Sequence, residues 1–204
     1  RHLPDRVVVA SLLGGIGPVR GADAVFSYTR ALRFLAPPLE VLRTPAGTAL
    51  RALVRVAEPF ADPIFEAYAR ILGFADSPVL RNPQFKAMFL HDLLTAEDLR
   101  ATAHDLALFA RHWGFHLDEV DTPVIVWTGL ADVIVPPSHG HHQAARLPRG
   151  ELRIRPGEGH FAGFFAVADV LDRVREVWAD RTDEPVATPS TGPTRRRNRP
   201  KPSD

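Results

Sequence analysis

Residues 123–137 read PVIVWTGLADVIVPP, and residues 151–161 read ELRIRPGEGHF. In the first stretch Val124, Ile125, Val126 and Trp127 follow one another with no polar side chain between them. A short, continuous apolar run rich in β-branched residues predicts a strand over 124–128. Asp132 then falls just past the carboxyl end of that strand, where open α/β sheets build their sites. The second stretch predicts a strand over 151–155, left by a loop in which glycines surround His160. Two adjacent parallel strands would bring these loop tips together, so that the Asp132 carboxylate accepts an imidazole N–H of His160. Such a carboxylate fixes the ring tautomer and stabilises the imidazolium that forms when the other nitrogen takes a proton.

Outward from this pair, the pattern extends in both directions. A helix is expected over about 138–147 between the two strands, and a last helix over about 165–179, with Val167, Val170, Leu171, Val174 and Trp178 on one face. Strand and helix alternation of this kind implies a parallel sheet with helices packed on it. At the other end, Val7, Val8, Val9, Ala10, Ser11, Leu12 and Leu13 form a second apolar run that ends in glycines and reads as another buried strand. Between 20 and 115 the spacing is helical: Val25, Tyr28, Leu32 and Leu35; Leu50, Leu53 and Val54; Phe65, Tyr68, Ile71 and Leu72. Prolines 37, 38, 45, 59, 63, 78 and 83 are expected to cut this zone into short helices. Thr95 and Asp98 form a capping-box pattern ahead of a helix with Leu99, Leu106 and Phe109 on one face. The expected organisation is therefore a core strand in 1–19, a small helical insertion over 20–115, an α/β core over 116–180 and a tail over 181–204. That tail holds several prolines and arginines with Val186 as its one larger aliphatic, too little to offset the entropy of ordering it.

Composition narrows the functional classes. With 45% hydrophobic residues, the 204-residue chain has material for one sizeable core. The 25 basic and 24 acidic side chains leave a net charge of +1, which creates no global field for holding nucleic acid or an anionic membrane surface. Cysteine is absent, which removes disulfides and thiolate metal sites but leaves the redox compartment open. The apolar run over 7–19 is interrupted by Gly14, Gly15, Gly17 and Pro18 and falls short of the roughly 20 residues a membrane span needs. The chain opens on Arg1 with no charged-then-apolar leader; a cytoplasmic location and a parent protein longer than these residues are the expectations.

The acid stretch and the GEGHF loop together resemble the acid and histidine motifs of the α/β-hydrolase superfamily, and the likeness extends over about residues 1–180. It implies a partial α/β-hydrolase sheet with a helical cap inserted over 20–115, and a strand near 7–13 that follows a nucleophile elbow. Carried over to these positions, Asp132 is the triad acid and His160 the general base, with a Ser-His-Asp mechanism on a carboxylic ester. No cofactor is implied, and the expected partner is a small-molecule substrate, with no nucleic acid, membrane or obligate protein partner. The family order places the nucleophile before the acid and the histidine. No G-x-S-x-G occurs in these residues, so the nucleophile and oxyanion-hole loop are expected upstream, and the chain alone is expected to be close to inactive. An upstream aspartate would instead make the parent a haloalkane dehalogenase or epoxide hydrolase, and a non-catalytic ligand-binding relative is the third alternative.

Other candidates weigh less. His139, His141 and His142 with His160 could hold a metal, but consecutive histidines on a helix diverge and no carboxylate completes the set. Asp118, Glu119 and Asp121 read as a solvated linker, Trp113 and Phe115 as core packing, and the tail arginines as a solvated end. Ser11 lacks the strand-to-helix elbow that exposes a nucleophile.

Overall fold

The computed structural model describes residues 6–27, 34, 36–97 and 99–182. Most of the expected tail, together with Tyr28, Leu32, Leu35 and Asp98, lies outside them. The centre is a three-stranded parallel sheet in the order β1 (Ala10–Leu13), β2 (Val124–Gly129), β3 (Gly150–Arg155). Ala10 pairs with Val124 and Val124 in turn with Gly150. Every residue of β2 is buried, which is why its sequence carries no polar alternation.

Because side chains alternate across a strand, β2 feeds two separate cores. Val124 and Val126 join Leu117 and Leu147 on one face, under α6 (Pro137–Arg146). Ile125 and Trp127 meet Ala166 and Val170 on the other, under α7 (Val167–Thr182). Each fully buried aliphatic here contributes about 1.5–3 kcal/mol by leaving water. Trp113 and Phe115 pack against the first of these cores.

The first apolar run departs from expectation. Only Ala10–Leu13 forms a strand, and it is half-buried, with Val7 and Leu13 exposed. Among the described residues β1 has β2 as its one neighbour, so its outer edge lacks the cover a central strand receives. The expected face of α7 is also rotated. Val170 and Val174 pack on the sheet together with Ala166 and Val177, whereas Val167, Leu171 and Trp178 lie on the adjoining flank, about half exposed.

Between β1 and β2 the chain is helical: α1 (Ala36–Ala57), α2 (Ala61–Leu72), α3 (Ser77–Leu80), α4 (Pro83–Thr95) and α5 (Arg100–Ala110). Val25, expected on a helix, instead lies in an irregular buried segment, where its amide donates to the Pro18 carbonyl. Pro63, Pro78 and Pro83 sit in first turns, where a missing N–H removes nothing. Before Pro83, Asn82 caps α4 by accepting from the amides of Gln84 and Phe85. Pro45, however, does not end α1, which runs on for a further three turns and packs along α5; tertiary contact outweighs one lost backbone bond. Gly47 makes that approach possible, since a Cβ there would lie 2.6 Å from the Arg100 backbone nitrogen.

The capping box at Thr95 is not formed. Thr95 is the last residue of α4, and its hydroxyl donates to the His91 carbonyl, while Leu99 holds the N-cap position of α5 with no side-chain cap bond. Leu99 is buried as expected, but Leu106 and Phe109 are partly exposed and the buried face of α5 is Ala103, Ala107 and Ala110. Small side chains are what a close helix-helix contact accepts. A third cluster, Phe65, Leu72, Val79, Leu80 and Phe85, forms the core of α2 to α4, and Ile134 and Phe161 from the sheet side pack against it. No helix of the described residues is long and apolar enough to cross a membrane.

Candidate active site

β2 and β3 deliver their loops to the same end of the sheet, and backbone contact holds the two loops together. The amide of Leu130 donates to the Arg155 carbonyl, and that of Ala131 to the Glu158 carbonyl at 2.9 Å. Gly129 is what allows this approach: a Cβ there would lie 2.4 Å from the carbonyl oxygens of both Glu158 and Gly159. The chain then turns at Asp132, whose Oδ1 accepts the amides of Ile134 and Val135, each at 2.8 Å. An aspartate that bonds backbone two and three residues on forms a local turn, and this one orients the second carboxylate oxygen.

That second oxygen, Oδ2, lies 2.9 Å from Nδ1 of His160. The Asp132 side chain is fully buried and the His160 ring is 26% exposed, so the pair is shielded on the acid side and open on the base side. With a carboxylate as acceptor, Nδ1 carries the proton and Nε2 presents a lone pair. The Asp132 hydrogen bond raises the affinity of His160 for a proton above its usual 6.5; burial works against this, and the negative charges of Asp132 and Asp76 add to the rise. Leu13, Gly14, Trp127 and Gly163 line the small cleft beside the ring. Gly14, at φ +56°, follows β1; a Cβ added there would lie 3.4 Å from the His160 ring, and its amide donates to the Trp127 carbonyl.

The remaining candidates fall elsewhere. His139 is completely buried on α6, where its Nδ1 accepts the Gly17 amide at 2.8 Å. Burial lowers its pKa, in keeping with a neutral ring used as an acceptor in the interior. Among the described residues no group of three or more histidine, cysteine or acidic side chains is placed to hold a metal. Asp118 and Glu119 lie in a single 3₁₀ turn before β2, at the opposite end of the strand from Asp132, and Glu119 caps that turn by accepting the His116 amide. Ser11 Oγ is buried without a hydrogen bond and is not bonded to His160.

Two carboxylates escape the sequence reading. Asp76 precedes Ser77 and Pro78, a pattern that signals an N-cap, yet its side chain does not cap α3; it accepts the amides of His160 and Phe161. Asp23, also buried, binds His116, the Leu117 amide and Arg146. Neither partnership has a local signature, because each joins residues distant in sequence.

No protein-family model and no curated protein sequence matches the chain. Solved structures do. The esterase RhEst1 from Rhodococcus sp. ECU1013 superposes with a TM-score of 0.54 at 21% identity, covering 87% of this chain and 58% of that one. BpoC from Mycobacterium tuberculosis H37Rv, described as a non-heme bromoperoxidase, gives 0.51 at 17% identity, covering 87% and 59%. The chain thus spans less than two thirds of either structure. The parallel sheet with helices on both faces and a helical segment between β1 and β2 is, on this likeness, part of an α/β-hydrolase fold.

Proposed function

We propose that this chain supplies the acid and the base of a hydrolase site, with Asp132 orienting His160 and His160 acting as general base toward a nucleophile that lies outside these residues. The observation that carries the reading is the Asp132–His160 hydrogen bond at 2.9 Å, made by a buried acid at the carboxyl end of a central strand, with the far ring nitrogen unoccupied by any described residue. In this reading the helices between β1 and β2 form a cap over the site, and the substrate is a carboxylic ester of small or medium size. The esterase among the structural neighbours agrees with that choice of reaction.

Nε2 takes the proton of a hydroxyl nucleophile as it attacks the ester carbonyl, and the imidazolium so formed stays paired with the Asp132 carboxylate. The same proton passes from Nε2 to the departing alkoxide, leaving an acyl-enzyme. Water then repeats the sequence with His160 again as base. Nothing in this cycle calls for a metal or a redox group.

The test uses the protein with its natural upstream sequence and p-nitrophenyl acetate or butyrate as substrate. Turnover that falls by about 10⁴-fold or more in His160→Ala is the expected result. Equal turnover in the variant would remove His160 from the mechanism. Halide release or epoxide opening in place of ester cleavage would replace the serine nucleophile with an aspartate and keep both assigned roles.

A further inference from the structure

Asp76 sits at the start of α3 with 1% of its surface exposed. A carboxylate withdrawn from water needs donors, and the helix it begins provides no side-chain cap bond. Its donors come from the far side of the molecule in sequence: Oδ2 accepts the His160 amide at 3.0 Å and Oδ1 the Phe161 amide at 2.8 Å. Charge-assisted bonds to two successive amides set the direction in which that loop leaves β3. Gly159 is shaped to this contact, since a Cβ at that position would lie 2.2 Å from Asp76 Oδ2.

Apolar packing reinforces the same junction. The Phe161 ring meets Phe85 of α4 edge-on with centroids 5.4 Å apart, and Phe164 meets Phe85 at 5.3 Å. Ile134, whose amide orients Asp132, packs against the same cluster. Both members of the Asp132–His160 pair are thus followed within two residues by a side chain seated in the helical layer.

We propose that Asp76 is a positioning residue for His160, clamping the histidine loop to the helical layer so that the base of that layer is a fixed wall of the site and not a lid that swings clear of it. The inference rests on reading His160 as the general base. Its physical content is that the main-chain direction at His160, and with it the aim of the ring, is set from the helical layer by one carboxylate. The charged groups that act on His160 are Asp132 from the loop after β2 and Asp76 just ahead of α3; Arg155, the last residue of β3, lines the same cleft and is paired with Glu158 and Asp169.

The experiment is NMR on this chain, comparing the unmodified protein with Asp76→Asn. Amide exchange at His160 and Phe161 is expected to quicken by about ten-fold or more, as charge-assisted bonds are lost, with β2 amides unchanged. The His160 ring is expected to titrate at lower pH, because a negative charge beside it is removed. Exchange within about two-fold of the parent and an unmoved ring titration overturn the proposal. Should the variant not fold, the unmodified protein decides: His160 and Phe161 amides that exchange as slowly as those of β2 support the clamp, and amides that exchange like an open loop overturn it. These readouts do not use turnover. A result in which His160→Ala keeps ester hydrolysis while Asp76→Asn frees the loop would remove the hydrolase reading and leave the clamp standing.

Discussion

The Asp132 carboxylate divides its two oxygens between two tasks: Oδ1 takes the Ile134 and Val135 amides, and Oδ2 takes Nδ1 of His160. The first set of bonds is local and immobilises the carboxylate, and the second is distant and orients the imidazole ring. Asp132→Asn keeps the volume but presents an amide where a charge was needed, so the ring loses its fixed tautomer. In the protein with its upstream sequence, kcat should drop by about 10⁴-fold with the fold intact. Steady-state kinetics beside a thermal melt would check this, and a full-activity Asn variant would exclude Asp132 from the triad.

With His160 in its proposed role, its proton affinity sets the pH dependence. The bond to Asp132 holds its pKa above the usual 6.5, and a general base works only in its neutral form. The acidic limb of kcat/KM should therefore lie above pH 6.5 and move down in Asp132→Asn. For stability the sign is opposite: the ion pair contributes fully below the unfolded pKa and is lost as pH rises through the raised folded value. A limb at or below the ordinary histidine value would contradict the pairing.

Gly129 is predicted to be intolerant of even one methyl group. A Cβ there would meet two backbone carbonyl oxygens at 2.4 Å, and backbone cannot rotate aside as a side chain can. Gly129→Ala should force the β2 and β3 loops apart at a cost of about 1–3 kcal/mol and disturb the Asp132–His160 bond. Thermal unfolding and the imidazole NMR signals would report both effects; an unchanged melting temperature would show that the loops are not in contact.

Asp23 is predicted to anchor the segment between β1 and α1. Burial pushes its carboxyl up, but Arg146, the Leu117 amide and His116 outweigh burial and bring it to about 2 from 3.8. A depressed acid contributes stability that is present above its unfolded pKa and lost as pH falls through the folded one, here between about pH 4 and 2. Asp23→Ala should cost roughly 1–3 kcal/mol at neutral pH and flatten the stability profile in that acid window. Denaturant melts at pH 7 and pH 3 would test it, with parallel losses at both pH values counting against the assignment.

The order of the last elements was legible because each has a local cause. The unbroken apolar run of Val124, Ile125, Val126 and Trp127 forecast a strand, and Asp132 and His160 stood at loop positions defined by strand ends and glycines. The boundaries of β2, α6 and β3 fall within about two residues of their expected places, the usual uncertainty of an element end.

What sequence by itself determined, then, is the order of strands and helices from β2 to α7 and which two side chains stand at neighbouring loop tips, since periodicity and turn chemistry act over a few residues. Only the tertiary structure decided what covers each surface. It chose Ala103 and Ala107 over Leu106 and Phe109 for the face of α5, carried α1 through Pro45, and turned His139 inward to the Gly17 amide. It also sent Asp76 across 84 residues to the backbone of His160. Such choices depend on distances between elements, and a buried carboxylate takes whichever donors the packing brings within 3 Å, a fact of three dimensions that no stretch of adjacent residues encodes.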